Sequence, residues 1–134
     1  MSRSVEALFS AAKAAYANAY APYSKFPVGA ALRTPEGEIF SGCNVENAAY
    51  PQGACAEAGA IAEMAKAGRR RIAEMLVIGG GEGLCTPCGG CRQRIREFAD
   101  PSTRIHVAGP DGVRASFTLA ELLPHAFGPE HLSS

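Results

Sequence analysis

The sequence lacks an excess of charge of either sign, because its 13 Lys and Arg residues balance its 13 Asp and Glu residues. Proteins that bind polynucleotides usually carry a basic surface that neutralises phosphates. The densest basic run, residues 69–71, is more typical of a solvated helix end than of a nucleic-acid contact. We therefore expect no nucleic-acid partner.

Long apolar runs are also missing from the sequence. No stretch approaches the ~18 apolar residues that a membrane-spanning helix needs, and the first residues, MSRSVEALFSAAK, lack the apolar segment of a secretory signal. These absences predict a chain that neither crosses a membrane nor is exported. We expect a cytoplasmic protein with a single domain over residues 1–134, long enough to bury a hydrophobic core.

The sequence does contain five cysteines, and their odd number and clustering are informative. A disulfide framework is not expected in a cytoplasmic protein. Clustered cysteines in this setting indicate a metal site or a catalytic site instead. They are Cys43, Cys55, Cys85, Cys88 and Cys91.

The spacing of apolar residues predicts elements in the order α-β-β-α-β-α-β-β-α. Alternating strands and helices in the middle of the chain predict parallel strand pairs with right-handed crossovers. The short G-P-D-G connection near the end cannot hold a crossover helix, so the last two strands are predicted to be antiparallel. We therefore predict an α/β fold, a mixed five-stranded sheet with helices on its faces. The predicted helices are residues 5–20 (between a Ser4 cap and Pro22), 54–67, 88–98 and 118–123 (capped by Thr118), and the predicted strands are residues 28–33, 38–43, 75–80, 104–109 and 113–118.

Two of the predicted helices begin at or beside a cysteine, Cys55 in one and Cys88 in the other. Cys91 lies three residues after Cys88 and shares its helix face. A thiolate at a helix N-terminus is stabilised by the macrodipole and the free N–H groups. Ligands of open α/β sheets usually bind beyond the carboxyl ends of the strands, and we expect the three sulfurs to meet there.

Three thiolates leave one position of a tetrahedral zinc ion open, which is typical of a catalytic rather than a structural site. Glu57 follows Cys55 by two residues, so its carboxylate can lie beside the metal without binding it. It can then accept a proton from a water molecule whose pKa is lowered by zinc. The sequence thus predicts a zinc site with Glu57 as its proton carrier.

Other interpretations of the same residues remain open at this stage. The C-G-G-C motif at residues 88–91 also suits a redox pair, and Cys85 repeats the spacing and would close a four-sulfur structural site. The protein would then be a zinc-stabilised binding or redox module in which Glu57 has no function. Cys43 is expected to be a packed side chain. The histidines, His106, His125 and His131, are expected to be structural or exposed.

Several sequence blocks match one known family. C-A-E at residues 55–57, followed by P-C-G-G-C at residues 87–91, resembles the zinc deaminase signature in its three-cysteine form. The blocks YSKFPVGAAL, GCNVENAAYP, TPCGGCRQ and LLPHAFGP extend the resemblance over most of residues 23–132. The chain therefore resembles the small, homotetrameric, three-cysteine class of cytidine deaminase.

The resemblance implies a three-layer cytidine deaminase fold and hydrolysis of cytidine and 2′-deoxycytidine to uridine and 2′-deoxyuridine with release of ammonia, as in pyrimidine salvage. It implies one Zn²⁺ per subunit, held by Cys55, Cys88 and Cys91, with Glu57 as general acid and base. It also implies a small-molecule nucleoside partner and a homotetramer with composite active sites. The implied substrate-binding residues are Asn44 and Glu46 for the ribose, Phe26 beside the base, Ala56 for the pyrimidine carbonyl, and Ala48, Tyr50 and Phe127 across a subunit boundary.

One position departs from the family pattern. Many relatives carry arginine after C-A-E, where it contacts the thiolates, but this chain has Ala58. Without that cation the pKa of the zinc-bound water should rise, and Arg92, directly after Cys91, is a candidate replacement. The departure bears on rate and pH profile rather than on the type of reaction. The preference among cytidine, deoxycytidine and modified cytosine nucleosides is left open.

Overall fold

In residues 2–132, which the computed structural model describes, the chain forms a five-stranded sheet with helices on both faces. The outermost residues of the predicted single domain, 1, 133 and 134, lie outside this description. No helix in the described range is long and apolar enough to cross a membrane. The helices are α1 (Arg3–Tyr16), α2 (Ala56–Lys66), α3 (Gly89–Phe98) and α4 (Leu119–Leu122), with short 3₁₀ turns at Tyr50–Gln52 and Pro129–His131, and the strands are β1 (Val28–Arg33), β2 (Ile39–Cys43), β3 (Glu74–Gly79), β4 (Arg104–Gly109) and β5 (Gly112–Thr118).

The strands are arranged in the order β2-β1-β3-β4-β5. β3 and β4 are parallel and are joined through α3, whereas β1 is antiparallel to both β2 and β3. The predicted antiparallel pairing of β4 and β5 is confirmed. Of the parallel pairs predicted for the middle of the chain, β3 with β4 is confirmed. A pair of β2 with β3 is not formed, because β1 lies between these two co-directional strands.

The alternation of side chains along the strands divides the core into two layers. On one face, α1 packs Leu8 and Ala12 against Ala31, Leu76 and Ile78. On the opposite face, α2, α3 and α4 cover the sheet, and the three-layer α/β arrangement is thus confirmed. Buried residues of this second layer include Leu32, Met75, Val77 and Ile105 of the strands and Met64, Ile95 and Leu122 of the helices.

Two glycines let helices approach the sheet closely. A Cβ atom on Gly29 of β1 would lie 2.3 Å from the carbonyl oxygen of Ala12 in α1. A Cβ atom on Gly42 of β2 would lie 2.6 Å from the backbone nitrogen of Ala60 and 2.7 Å from the carbonyl oxygen of Ala56 in α2. Gly42 therefore permits the N-terminal half of α2 to dock directly on β2, which sets the position of the functional residues at the start of that helix.

The first helix differs from its prediction at both ends. Its N-cap is Ser2 instead of Ser4, and it ends at Tyr16, well before Pro22. Residue 20 forms a β-bridge with residue 45, a contact that is incompatible with continued helix. Long-range pairing has therefore overridden the helical spacing of the sequence.

The start of α2 is also later than predicted, at Ala56 instead of Ala54. The backbone of Ala54 exchanges two hydrogen bonds of 2.9 Å with Val45, so this residue is extended rather than helical. The predicted cap of α4 is present: the Thr118 hydroxyl accepts a hydrogen bond from the backbone N–H of Glu121, and the Glu121 carboxylate accepts one from the N–H of Thr118. The predicted bounds of α3 and of the strands differ from the observed ones by at most one residue at either end.

Candidate metal centre and active site

Cys55 and Cys88 stand at the N-caps of α2 and α3, which cover the same face of the sheet. Neither side chain makes a capping hydrogen bond, so both sulfurs remain available to another partner. Cys91 lies in the first turn of α3 and is fully buried. The three sulfur atoms lie within 4.8 Å of one another. The structure thus brings together the three cysteines that the sequence singles out.

The size and chemistry of this cluster fit zinc. Tetrahedral zinc with Zn–S bonds of ~2.3 Å separates its sulfur ligands by roughly 3.8 Å, and thiolates are ligands that zinc favours. In the described part of the chain, neither Cys43 nor Cys85 belongs to the cluster. Cys85 lies against the end of β3, where a Cβ atom on Gly79 would be 2.7 Å from its sulfur. The four-sulfur alternative therefore gains no support from the geometry.

The surroundings of the thiols favour the thiolate form of Cys88 but disfavour that of Cys55 and Cys91. A hydrogen bond from the backbone N–H of Cys91 lowers the pKa of Cys88. Burial raises the pKa values of Cys55 and Cys91, because a thiolate loses hydration there. A bound divalent cation offsets this loss, since metal ligation stabilises the thiolate.

Glu57 is a buried carboxyl group beside the cluster, with only 4% of its surface exposed. Burial is the largest cause that raises its pKa, and its own backbone N–H, the Cys91 thiol and the charge of Arg94 oppose the rise. A carboxyl group whose pKa is raised by burial holds a proton more readily than an exposed one, which suits a group that must both accept and donate a proton. Its location and environment match those predicted for a proton carrier.

A cavity of about 160 Å³ opens onto the cluster and onto Glu57. Its wall combines these reactive groups with the polar side chains of Asn44 and Thr86 and with the apolar side chain of Val28. Cavities that combine a largely apolar wall with a few convergent polar groups are typical ligand sites. The cavity is therefore the place where a substrate can meet both the metal ligands and the proton carrier.

Asn44 also holds the chain segment in front of the cavity. Its side-chain oxygen accepts a hydrogen bond of 2.9 Å from the backbone N–H of Val28, and its side-chain nitrogen donates one of 2.9 Å to the carbonyl oxygen of Phe26. The predicted ribose-binding residue and the predicted base-binding residue are thus joined by a direct hydrogen bond. Phe26 is 40% exposed and lies close to the end of β3, near Gly79 and Gly81.

Glu46 lines a different, larger cavity of about 370 Å³, together with Tyr23, Ser24 and Tyr50. Its carboxylate accepts hydrogen bonds from the backbone N–H groups of Tyr23 and Ser24, at 2.9 and 3.1 Å, and from the Ser24 hydroxyl. The Ser24 hydroxyl is also the main cause that lowers the pKa of Glu46. Ser24 was not among the residues predicted from the sequence, although it lies within the block YSKFPVGAAL.

Like Phe26 and Glu46, three further predicted substrate-binding residues are not part of the wall of the cavity that opens onto the cysteines, as far as residues 2–132 show. Ala48 is exposed in the loop after β2. Tyr50 is 75% exposed and meets the ring of Tyr23 edge-on at 6.0 Å. Phe127 is 55% exposed and stacks on His131 at 5.0 Å. Ala56, the first residue of α2, lines the cavity, as Asn44 does.

Two arginines near the cluster have different partners. Arg92, the candidate replacement for the missing cation, donates to the carbonyl oxygens of Pro87 and Leu122, both at 2.7 Å. Arg94 instead places its Nη1 atom 3.6 Å from the Cys91 sulfur. Arg94 was not among the residues predicted from the sequence, although its position three residues after Cys91 places it on the same helix face.

The fold and the site together define an α/β protein in which three clustered cysteine sulfurs lie beside a buried carboxyl group, an arrangement that matches the zinc deaminase signature. A family model described as "Cytidine and deoxycytidylate deaminase zinc-binding region" matches residues 2–107. The chain belongs to this family, and the resemblance seen in its sequence is confirmed.

Individual relatives agree with the family assignment. The chain is 44% identical to the cytidine deaminase of Sporosarcina psychrophila over 96% of this chain and 95% of that protein. It is 37% identical to the cytidine deaminase of Mycobacterium tuberculosis H37Rv over 88% of this chain and 85% of that protein. The crystal structure of cytidine deaminase from Burkholderia pseudomallei matches with a TM-score of 0.85 and 44% identity, covering 95% of this chain and 100% of that one.

Proposed function

We propose that this protein hydrolyses cytidine and 2′-deoxycytidine to uridine and 2′-deoxyuridine with release of ammonia, a reaction of pyrimidine salvage. The observation that carries the proposal is the buried carboxyl group of Glu57 at the wall of a cavity, beside a cluster of three cysteines of which Cys55 and Cys88 line the same wall. The curated relatives at 37–44% identity, which are named cytidine deaminases, support the choice of substrate.

In this proposal Cys55, Cys88 and Cys91 hold one Zn²⁺ per chain. When bound, zinc lowers the pKa of a water molecule from ~15.7 towards ~7, so that water becomes a usable nucleophile at neutral pH. Glu57 accepts a proton from the water that adds to C4 of the pyrimidine and passes it to ring nitrogen N3. It then carries the second water proton to the departing amine, which leaves as ammonia. One carboxyl group serves as base and acid, and its raised pKa suits both steps.

The remaining predicted residues orient the nucleoside. Asn44 and Glu46 bind the ribose hydroxyl, and Phe26 offers a flat apolar face beside the base. The backbone N–H of Ala56 donates to the pyrimidine carbonyl, because it lies in the first turn of α2, where N–H groups have no partner within the helix.

We assign Ala48, Tyr50 and Phe127 to the active site of a neighbouring subunit in a homotetramer. Their exposure supports this assignment, since the large apolar surfaces of Tyr50 and Phe127 lie uncovered in the single chain. The proposed location is the cytoplasm. Support comes from the cysteines, all five of which are free thiols in the structure, as suits a reducing compartment.

A loss-of-absorbance assay on cytidine tests the proposed function. We expect the zinc-loaded protein to deaminate cytidine and deoxycytidine, a chelator to abolish the activity, and added zinc to restore it. Cys88→Ala should remove both zinc and activity, while Cys43→Ala, outside the cluster, should keep both. Zinc-loaded protein that leaves both nucleosides unchanged would refute the proposal, and turnover of a modified cytosine nucleoside alone would correct the substrate.

A further inference from the structure

The guanidinium group of Arg94 contacts the thiol cluster. Its Nη1 atom lies 3.6 Å from the Cys91 sulfur. The positive charge of Arg94 therefore lies beside the sulfur of a proposed zinc ligand.

The charge balance of the loaded site gives this contact a role. A zinc ion with three thiolates carries an excess of one negative charge, and Glu57 adds another when it is ionised. Cys91 and Glu57 are buried, and buried charge is costly unless an opposite charge lies close. The first turn of α2 has no basic residue, since Ala58 follows Glu57. Arg94 supplies the cation from α3 instead.

We propose that Arg94 is a positioning residue of the metal centre: it fixes the Cys91 sulfur and offsets the excess negative charge of the loaded site. The inference rests on the proposed function, because it requires zinc at the three cysteines. Arg94 holds the sulfur electrons more tightly, so it raises the energy of sulfur-to-metal charge transfer in a cobalt(II)-substituted protein. It also slows metal release, because the loaded site is closer to neutral.

Two substitutions separate the charge of Arg94 from its packing. Arg94→Met removes the charge but keeps a long side chain that favours helix. Arg94→Lys keeps the charge but loses the planar donor group. Arg96→Met is a matched control on the same helix, because Arg96 forms an ion pair with Glu130 at 2.7 Å. The melting temperatures of the variants, measured in parallel, show whether each variant is folded.

The first readout is the transfer of zinc from the full-length protein to an excess of chromophoric chelator at neutral pH. We expect Arg94→Met to release zinc about tenfold faster than the original protein. This factor is at the low end of the range for residues that contact metal ligands, because the exposed charge of Arg94 is screened by solvent. Arg94→Lys should be intermediate, and Arg96→Met should release zinc at the original rate.

The second readout is the absorption spectrum of the cobalt(II) forms. We expect the charge-transfer band of Arg94→Met at longer wavelength than that of the original protein, with Arg94→Lys between the two. If Arg94→Met binds zinc and cobalt as the original protein does, the inference is overturned while the proposed function stands. If the original protein takes up no zinc at the three cysteines, the proposed function fails and the inference fails with it.

Discussion

Glu57 carries all the protons that move in the proposed reaction, so its substitution tests the mechanism directly. Glu57→Gln keeps the size of the side chain but removes its capacity to carry a proton. We expect zinc content to stay unchanged and kcat to fall by at least ~10²-fold, within the range of general acid–base catalysis. Glu63→Gln, exposed on the same helix, is the control and should keep its activity. Near-normal turnover by Glu57→Gln would contradict the mechanism.

Glu46 acts on the segment in front of the active site through its carboxylate. Its pKa in the folded protein lies below the ordinary value of 4.5. Its hydrogen bonds to Tyr23 and Ser24 are therefore fully present above that value and are lost as the pH falls through the lowered folded pKa. We expect the protection of these two amides from hydrogen exchange, measured by NMR, to decline over that acidic window.

The Glu46→Gln variant separates the carboxylate charge from the shape of the side chain. We expect several-fold weaker protection of the Tyr23 and Ser24 amides at neutral pH, because bonds to an ionised acceptor are stronger. The exposed residue Glu82 offers a control, and Glu82→Gln should leave both amides as protected as before. Equal protection in Glu46→Gln would show that the carboxylate charge does not hold this segment.

At the scale of elements, a polar network ties the N-terminal helix to the sheet. Glu74 of β3 pairs with Arg33 of β1 at 2.6 Å and with His106 of β4 at 2.6 Å. Arg33 reaches on to the carbonyl oxygen of Ser4 in α1, and His106 bonds the Ser116 hydroxyl of β5. His106 is thus a structural residue, as its strand position suggests.

Glu74→Ala should destabilise the protein by about 2 kcal/mol, because it leaves two partly buried partners without their acceptor. The value lies below that of a fully buried pair, since the side chain of Glu74 is 20% exposed. Urea denaturation measures the change. Glu63→Ala, whose ion pair with Lys66 spans 4.0 Å at the surface, should stay within about 0.5 kcal/mol of the original protein. Similar losses of unfolding free energy in both variants would contradict a stabilising role for this network.

Local patterns in the sequence predict the elements that carry the cluster. Helical periodicity, together with the glycine and proline residues near the helix ends, is enough to predict the two helices that begin near Cys55 and Cys88. It also predicts the shared face of Cys88 and Cys91. The start of α2 could not be predicted in the same way, because Ala54 is drawn into a bridge with Val45. The place of β1 between β2 and β3, and the bonds of Glu46 to Ser24, depend on contacts between distant residues that no local pattern encodes.

At the scale of the whole molecule, the proposed tetramer predicts that two inactive chains can restore each other. Glu57→Gln lacks the proton carrier, while Tyr50→Ala lacks the aromatic group assigned to a neighbouring site. Each variant alone should be nearly inactive and retain the original assembled mass by light scattering. Refolding the two together should recover activity, because some sites then combine Glu57 of one chain with Tyr50 of another.

Matched controls make the mixing experiment decisive. Glu57→Gln refolded alone, and Tyr50→Ala refolded alone, should recover nothing under the same conditions. A mixture that also stays inactive would place Tyr50 in the active site of its own chain, and an active Tyr50→Ala variant would place Tyr50 outside the active site. A fully active monomer would contradict composite sites altogether.

The three proposed zinc ligands are separated along the chain by the whole of β3, and this has a consequence for biosynthesis. Cys55 leaves the ribosome first, while Cys88 and Cys91 follow only after α2 and β3 have been translated. The strand that pairs with β3 in parallel, β4, appears later still. A nascent chain therefore cannot present the complete ligand set until most of its length has been made. If these cysteines hold zinc as proposed, the metal can be bound at all three only late in synthesis, and a shortage of zinc would leave full-length chains without their metal.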